Sequence, residues 1–449
     1  MQKNSDASLK KLIEEHELNC FTKSKKFILD NPLALSIDDL SRLAEMANGL
    51  QESTAAYYTD PKTVQTLCQQ LPKIHKRTLK ILEPSVGVGN ILRQVIHYYK
   101  GLFDSIECDV FDINQHSLEI CEIFIQKEFS DFNNLKINYI YDDFLTHQLE
   151  KKYDLVVGNP PFMKIKGVYR ENLRQEFKNP IADNISAFFL DKSIGLSNYV
   201  VLIMPKYFLH NFDFSKSREK IKNTNIQCIT DFGETGFKGV LIETICLFLD
   251  TKSDNISGTK VISVPKKIEL IQDQNEITQS FFPNWLIYIN ESFKKLASEM
   301  NFGIFNVFRD RQITSKILEP TGDIWVIKSK NIPRSGDKII HIEDDVFIEK
   351  SALSKLGVNK YLKRDDVFLS PNMTYYPRVV VKPKNCVVNG SVAIFELKPD
   401  ISITETDLLF FASPEFEAFY RIARNHSTRS LNIDNIAIFY FGKRNHCVQ

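Results

Sequence analysis

The sequence predicts an α/β fold in which a doubly wound, largely parallel sheet precedes a C-terminal α+β domain. Short apolar segments alternate with helical segments from residue 79 to residue 204, which is typical of parallel strands joined by crossover helices. Polar residues follow four of these strands in chain order. Beyond Pro283 short β-rich segments and turns replace this alternation. A sheet with ligand-binding groups at its carboxyl edge is therefore expected.

The composition indicates a soluble globular protein without a resident metal. The 449 residues suggest two domains, and the hydrophobic content of 43% is ordinary for such a protein. No run of 18 apolar residues occurs and the first ten residues are polar, so we expect neither a membrane span nor a signal peptide. The eight cysteines and nine histidines show no metal-ligand spacing. Free thiols in a reducing cytoplasm are expected.

The pattern divides the chain into four parts. Residues 1–50 form a helical arm, expected to pack on the next domain and to carry no site. Residues 51–250 form the sheet domain. Residues 251–282 are polar and read as a linker region with a strand or two, and residues 283–449 form the β-rich domain.

A capped helix follows Thr59-Asp60-Pro61 at the start of the sheet domain. Thr59 or Asp60 is the expected N-cap and Pro61 suits the first helical position. The free N–H groups and partial positive charge of such a helix start suit a carboxylate ligand. An ordinary capped helix is the alternative interpretation.

A glycine-containing loop follows the first predicted strand, which begins at Leu79. The loop includes Glu83, Ser85, Gly87 and Gly89, and its glycines let the backbone approach a nucleoside closely. The alternative is a simple tight turn.

Acidic residues end the next two strands. The second strand, from Ile106, ends at Asp112, the position of the ribose-hydroxyl ligand in nucleotide-binding sheets, and Ile113 beside it can lie against a purine. The third strand is followed by Asp143 and Phe144, and a carboxylate here can accept from an adenine amino group.

The fourth strand, residues 154–158, runs into Asn159-Pro160-Pro161-Phe162. Two prolines end the strand ladder and stiffen the turn. The Asn159 side chain and the Pro160 carbonyl can accept from a planar exocyclic amine and localise its lone pair, and Phe162 can stack on the base. This chemistry suits methyl transfer to such an amine. A strand ending in a proline turn, with Phe162 in the core, is the alternative.

Three more strands, residues 200–204, 228–232 and 243–249, bring the predicted sheet to seven. Helix 183–197 is expected to pack in the core. Phe237, on the loop before the last strand, is either a second wall for the substrate ring or a packing residue.

Basic and aromatic residues interleave in the C-terminal domain. This mix can read a DNA groove, and the alternative is a solvated surface. The candidate contact residues are Lys328, Lys330, Arg334, Tyr376 and Arg378.

The ordered set of motifs resembles the γ-class N6-adenine DNA methyltransferases (amino-methyltransferases) of restriction–modification systems. The resemblance covers roughly residues 53–250 and rests on five segments in the family's order and spacing. They are Thr59-Asp60-Pro61, Glu83-Pro84-x-x-Gly87-x-Gly89, Asp112-Ile113-Asn114, Asp143-Phe144-Leu145 and Asn159-Pro160-Pro161-Phe162.

The resemblance implies a Rossmann-like, seven-stranded sheet that binds S-adenosylmethionine and releases S-adenosylhomocysteine. Thr59 and its helix would bind the methionine moiety. The cofactor cleft would be lined by Glu83, Ser85, Gly87 and Gly89, the ribose bound by Asp112 beside Ile113, and the cofactor adenine by Asp143 and Phe144. Phe237 falls where the family places a second aromatic residue near the flipped base.

The implied function is site-specific methylation of N6 of a flipped-out adenine in duplex DNA. The implied partners are double-stranded DNA and a separately encoded restriction endonuclease, from which the modification protects host DNA in the bacterial cytoplasm or nucleoid. Two alternatives remain open. One is methylation of a protein glutamine amide or an rRNA guanine N2, and the other is a DNA-specificity subunit without catalysis.

Overall fold

A computed structural model divides the chain into two compact units, Met1–Asn275 and Glu276–Gln449. The structure describes residues 5–48, 59–150, 152–234, 242–253, 256, 258–372, 376–428 and 432–445. Thr54 to Tyr58, Phe237 and Tyr375 lie outside these ranges.

Helices cover both faces of the sheet in the first unit. They are α1 (Asp6–Glu15), α2 (Phe21–Asp30), α3 (Ile37–Ala47), α4 (Pro61–Cys68), α5 (Asn90–Tyr99), α6 (Gln115–Phe129), α7 (Gly167–Glu176), α8 (Ile185–Leu196), α9 (Ser215–Ile221) and α10 (Gln274–Thr278), the last of which crosses the boundary. Single-turn 3-10 segments occur at Lys206–Leu209 and Phe212–Phe214.

The sheet of the first unit has the order β3-β2-β1-β4-β5-β7-β6-β8-β9. The strands are β1 (Thr78–Glu83), β2 (Ser105–Asp112), β3 (Leu135–Tyr141), β4 (Tyr153–Gly158), β5 (Ser197–Pro205), β6 (Asn225–Gly233), β7 (Thr244–Asp250), β8 (Thr259–Ser263) and β9 (Ile268–Gln272). The first five are parallel, and β7 runs antiparallel between β5 and β6. The doubly wound α/β prediction is confirmed for the seven expected strands.

The central strand β4 shows why the sheet forms. Every residue of β4 is buried, as expected for a strand that helices cover on both faces. Leu155 and Val157 belong to the core between the sheet and α4, α5 and α6. Pro160 and Pro161 cannot donate to the strand ladder, so the chain leaves the sheet at Gly158.

The predicted linker region 251–282 contains two strands, as expected, and both extend the sheet of the first unit. Its residues supply β8, which pairs parallel with β6, and β9, which pairs with β8. Val261 is fully buried in β8. Burial of this apolar face outweighs the polar composition on which the linker prediction rested, so the sheet has nine strands. The boundary between units falls at 275/276 rather than 282/283.

The N-terminal arm packs on the sheet domain as predicted. Leu40 and Leu43 of α3 form a buried cluster with Ile120 and Phe124 of α6. Ser36 caps α3, accepting from the Asp39 amide at 3.1 Å. α3 is therefore held against α6, one of the crossover helices that border the carboxyl edge of the sheet.

The second unit is an α+β structure, in agreement with the predicted class of the C-terminal domain. Its helices are α11 (Glu291–Ser298), α12 (Lys350–Leu353), α13 (Glu405–Phe410), α14 (Pro414–Ala423) and α15 (Asn435–Phe439), with 3-10 turns at Ser315–Ile317, Ser329–Asn331 and Gly357–Tyr361. Its strands are β10 (Met300–Asn301), β11 (Phe305–Arg309), β12 (Ile324–Ile327), β13 (Val346–Ile348), β14 (Phe368–Pro371), β15 (Val380–Val381), β16 (Cys386–Val388), β17 (Val392–Leu397) and β18 (Lys443–Arg444). They form sheets β11-β17-β14-β15 and β13-β12-β16 and the pair β10-β18. Within the described ranges, no helix is long and apolar enough to cross a membrane.

Candidate functional site

A cavity of about 490 Å³ lies at the carboxyl edge of the parallel strands. Residues that follow β1, β2, β3 and β4 line it, among them Gly87, Ile113, Asp143 and Asn159. The volume is in the range of pockets that hold small molecules and cofactors. The structure thus brings together the four strand ends that the sequence pattern singled out.

The cavity wall is acidic. Five carboxylic acids line it, and none of the described lining residues is Lys, Arg or His. The five are Glu45, Glu83, Asp112, Asp142 and Asp143. Burial raises the pKa values of Glu45, Glu83 and Asp112, and a bound cation would stabilise their ionised forms. The wall therefore favours a ligand with positive charge over one that carries phosphate groups.

The glycine loop after β1 depends on two residues in the left-handed backbone region. Gly87 has a φ of +54° and Gly89, the N-cap of α5, has a φ of +85°. A Cβ on Gly89 would lie 2.7 Å from Cys121 Sγ, closer than packed atoms approach. Gly87 lines the cavity, whereas Gly89 packs closely against α6 and so allows the loop to lie next to that helix.

Asp112 anchors this loop from β2. Its carboxylate accepts from the Gly87 amide at 2.8 Å and from the Asn114 amide at 2.8 Å. Burial raises the pKa of Asp112, although these backbone donors oppose the shift. Ile113, 60% exposed beside it, presents an apolar surface to the cavity.

Glu83, at the end of β1, is the most deeply buried acid of the wall. It is 1% exposed, and burial together with the nearby Asp112 raises the pKa of its carboxyl group well above the ordinary value. Glu83 Oε2 has no hydrogen-bond partner among the described residues. A buried polar atom of this kind costs free energy unless a ligand satisfies it.

Asp143 is held in a turn after β3. Its Oδ1 accepts from the Leu145 amide at 2.9 Å, and its Oδ2 accepts from the Tyr169 hydroxyl of α7 at 2.8 Å. Burial and this hydrogen bond raise the pKa of Tyr169. Tyr169 also lines the cavity, so α7 contributes to the site.

Lys192 of α8 fixes the same turn. Its ammonium donates to the carbonyl oxygens of Phe144 at 2.6 Å, Leu145 at 3.1 Å and His147 at 2.6 Å. The rings of Phe144 and Phe189 lie 5.3 Å apart, and both residues line the cavity. Three charge-assisted bonds from one ammonium make this turn a rigid part of the wall.

The Asn159 turn meets the start of α4 at the cavity. Asn159 Nδ2 donates to Thr59 Oγ1 at 3.2 Å, and the Ser85 hydroxyl donates to the Asn159 carbonyl at 3.2 Å. Asp60 is the N-cap of α4, accepting from the Lys62 amide at 2.9 Å. Thr59, Ser85 and Asn159 therefore form one connected polar corner.

The other residues of the predicted turn lie at different depths. Pro161 lines the cavity, Pro160 is buried, and Phe162 is 7% exposed within the apolar core of the first unit. Stacking of Phe162 on a base stays a prediction. Phe237 lies outside the described residues.

The structure adds wall residues that the sequence pattern did not indicate. Glu45 and Asn48 of the N-terminal arm line the cavity, although no site was expected in the arm. Phe189, expected to be a core residue, is 6% exposed and also faces the cavity. A helical face becomes a cavity wall only through tertiary packing, which a motif search along the chain does not detect.

The predicted DNA-contact residues lie in the second unit and differ in exposure. Arg334 is 66% exposed in its side chain, and its guanidinium lies 3.1 Å from the centroid of the Tyr376 ring. Lys330 is 72% exposed, 3.6 Å from Asp344. Lys328 Nζ contacts the Asp344 carbonyl.

Arg378 has a structural place in the same unit. Its guanidinium donates to the Ile332 carbonyl at 3.1 and 2.8 Å and to the Tyr376 carbonyl at 2.8 Å. Burial lowers its pKa.

None of the described residues form a group of three or more His, Cys, Asp or Glu arranged to hold a metal ion.

Comparison with known families identifies the cavity-forming segment. Residues 62–237 match the model of the Eco57I restriction-modification methylase. This part of the chain is therefore similar to that methylase family. The methylase segment contains the glycine loop, Asp112, Asp143 and the Asn159 turn, so the resemblance drawn from the motifs to restriction–modification methyltransferases is confirmed.

Curated relatives of the methylase segment are type II methyltransferases. M.AccI of Acinetobacter calcoaceticus is 25% identical over 47% of this chain and 39% of its own, and M.VspI of Vibrio sp. (strain 343) is 24% identical over 51% and 55%. M.HincII of Haemophilus influenzae is 21% identical over 73% of this chain and 72% of its own. The matched region thus spans 39% and 55% of the length of the first two relatives. The strand order of the observed sheet, together with this similarity to methyltransferases, identifies a Rossmann-like methyltransferase fold.

Proposed function

We propose that this protein transfers a methyl group from S-adenosylmethionine to N6 of a specific adenine in duplex DNA. The observation that carries the proposal is the shared cavity: the Asn159 turn, suited to hold a planar amine, borders the same space as the acidic nucleoside-binding edge. The type II methyltransferase relatives support DNA as the substrate.

The cavity residues fit this cofactor. S-adenosylmethionine carries cationic sulfonium and ammonium groups and no phosphate, which suits five acids and the lack of basic groups among the described lining residues. Glu83 Oε2, which has no hydrogen-bond partner among the described residues, offers a carboxyl oxygen that can interact with such a cation. When bound, the cofactor supplies a methyl group on sulfur that is open to nucleophilic attack.

The roles of the wall residues follow from their positions. Asp112 presents its carboxylate to ribose hydroxyls, and Ile113 offers an apolar face to the cofactor's purine. Asp143 accepts from the purine amino group, with Phe144 beside it. Thr59 and the N-terminus of α4 bind the methionine carboxylate.

The Asn159 turn activates the amine. Adenine N6 is a poor nucleophile because its lone pair is delocalised into the ring. Asn159 Oδ1 and the Pro160 carbonyl accept from its two N–H groups, which localises the lone pair and stabilises the positive charge that develops on nitrogen. Fixed acceptors of this kind need no reorganisation during reaction, and the bond from Asn159 Nδ2 to Thr59 fixes the amide.

The target adenine must leave the DNA stack to reach this turn, because its amino group is inaccessible within a duplex. Phe162, and Phe237 as a second wall, would hold the ring by stacking. The second unit would grip the duplex through Lys328, Lys330, Arg334 and Tyr376, and Arg378 would hold the Tyr376 backbone in place. A partner restriction endonuclease with the same recognition site would complete the system.

Methyl-labelled cofactor tests the proposal. The protein is incubated with it and with duplex DNA of mixed sequence, and the DNA is digested to nucleosides. Label on N6-methyladenine at one sequence context is expected. Label on cytosine, on protein glutamine or on RNA would reject the proposed substrate, and binding of DNA without any transfer would support a non-catalytic specificity subunit.

A further inference from the structure

The N-terminal helix α3 carries a row of polar residues on one face. Asp38, Ser41, Glu45 and Asn48 follow each other at spacings of three, four and three residues, so they share a stripe on a helix with 3.6 residues per turn. The opposite stripe, with Leu40 and Leu43, is buried in the apolar cluster with α6. The polar stripe is therefore distinct from the stripe that packs on α6.

The first part of this stripe fastens α3 to α5. Asp38 lies 3.5 Å from the Arg93 guanidinium, and the Ser41 hydroxyl contacts Asn90 Oδ1. Asn90 is the first residue of α5, directly after the glycine loop. Asp38, Ser41 and Arg93 do not belong to the cavity lining, whereas Asn90 does, so the Asp38–Arg93 contact holds α3 in place away from the cavity.

The second part of the stripe reaches the cavity. Glu45 Oε1 accepts from Asn90 Nδ2 at 2.8 Å, and Glu45 itself lines the cavity. Asn48 also lines it, and its side chain lies 3.4 Å from both Asn114 Nδ2 and Ser117 Oγ. The backbone N–H of Asn114 in turn donates to Asp112 Oδ1. Asn48 is therefore connected to the carboxylate that anchors the nucleoside edge.

We propose that α3 is part of the cofactor site, with Glu45 and Asn48 as binding residues for the nucleoside portion. This inference rests on the proposed function. Asn48 presents a side-chain amide, a donor and an acceptor, at the cavity wall beside Asn114 and Ser117. Glu45 presents a carboxyl group fixed by Asn90 at the same wall. The N-terminal arm thus serves as a ligand-binding element in addition to its packing role.

Binding of two probes to the full chain tests this inference. S-adenosylhomocysteine and adenosine are titrated calorimetrically against wild type, Asn48→Ala and Glu45→Ala. Each variant is expected to bind both probes about three- to tenfold more weakly, as for the loss of one hydrogen bond. Because adenosine lacks the amino-acid portion, an equal loss for both probes assigns the contacts to the nucleoside.

Asp38→Ala is the matched control, since it removes the contact of α3 with Arg93, which lies outside the cavity lining. Its affinity for both probes is expected to stay within twofold of wild type. An equal loss in Asp38→Ala would mean that α3 acts only by fastening α5, and unchanged affinity in Asn48→Ala and Glu45→Ala would exclude them as binding residues. Either outcome overturns the inference and leaves the proposed function standing. A wild-type protein that binds neither probe would overturn both.

Discussion

Asn159 Nδ2 donates a hydrogen bond to Thr59 Oγ1 across 3.2 Å, which links the turn after β4 to the start of α4. The two residues are far apart in sequence, yet each belongs to a separate motif of the predicted site. The bond fixes the plane of the Asn159 amide. In the proposed reaction that plane decides where Oδ1 meets the target amine, so the bond connects the cofactor-binding end of the cavity to the reacting end.

Thr59→Val should slow methyl transfer. The substitution keeps the shape of the side chain and removes the hydroxyl that orients Asn159, so the loss of about 1 kcal/mol corresponds to roughly a fivefold fall in kcat at saturating cofactor and DNA. Thr59→Ser keeps the hydroxyl and should retain most of the rate. Equal rates for the Val and Ser variants would show that this bond does not position the amide.

Gly89→Ala should destabilise the first unit. A Cβ would lie 2.7 Å from Cys121 Sγ, at a φ of +85° that side chains rarely adopt, so we expect a loss of about 2–4 kcal/mol in the free energy of unfolding. Denaturant unfolding measures it. Cys121→Ala in the same chain should restore part of the loss.

Gly195→Ala is the control for this substitution. Gly195 is exposed in α8 and a Cβ there meets nothing within 4 Å, so alanine should leave stability unchanged or raise it by up to about 1 kcal/mol. If Gly89→Ala were as well tolerated as Gly195→Ala, close packing of the glycine loop on α6 would not be required.

Glu45→Gln should flatten the dependence of stability on pH. Burial raises the pKa of Glu45 to about 8, against the opposing effects of Arg93 and Asn90. The native state therefore keeps a proton that the unfolded chain releases above its ordinary pKa of 4.5, and stability falls as pH rises between these values. Removal of this group should reduce the slope by up to about 1.4 kcal/mol per pH unit.

Unfolding in denaturant at pH 5, 6, 7 and 8 measures this slope. Glu83 and Asp112 also have raised pKa values, so part of the slope should remain in both the wild type and Glu45→Gln. Glu14→Gln, an exposed change on α1, should leave the wild-type slope intact. A Glu45→Gln variant with the wild-type slope would contradict the burial of an acid at this wall.

Two basic residues of the second unit should respond differently to alanine. Lys330 is 72% exposed, so Lys330→Ala should leave stability unchanged. The variant should bind DNA of every sequence more weakly, and the slope of log affinity against log salt concentration should fall by about one. Lys11→Ala, an equally exposed change on α1, is the charge-matched control. Unaltered salt dependence in Lys330→Ala would remove this residue from the DNA interface.

Arg378→Ala should instead reduce stability. Its guanidinium satisfies the Ile332 carbonyl twice and the Tyr376 carbonyl once, and loss of these charge-assisted bonds should cost about 2 kcal/mol. Thermal unfolding measures the loss. A variant that keeps its stability but loses DNA affinity would assign Arg378 to direct DNA contact.

The strand-end residues could be predicted because their signal is local. A parallel strand that ends in Asp112 or Asn159 places that residue at the carboxyl edge whatever the rest of the chain does. The order of the motifs then fixed which strand ends would share one cavity. The structure agrees with these placements, including Asp60 as the cap of α4.

The contributions of α3, α7 and α8 could not be predicted in the same way. Glu45, Tyr169 and Phe189 reach the cavity because whole helices pack beside the sheet, and no local pattern separates such a residue from an ordinary helical one. For a related reason, the strands expected between residues 251 and 282 could not be assigned to the sheet from the sequence: β8 pairs with β6 and is largely buried, although the segment around it is polar.

The rate of a single turnover in Asn159→Ala tests the central claim most directly. Cofactor affinity, measured by calorimetry, should stay within about threefold of wild type, because the cofactor's acidic wall is intact. Methylation of adenine N6 in bound duplex DNA should fall at least about a hundredfold, as for the loss of a fixed acceptor at a developing charge. A variant that binds cofactor and methylates adenine at the wild-type rate would contradict the account.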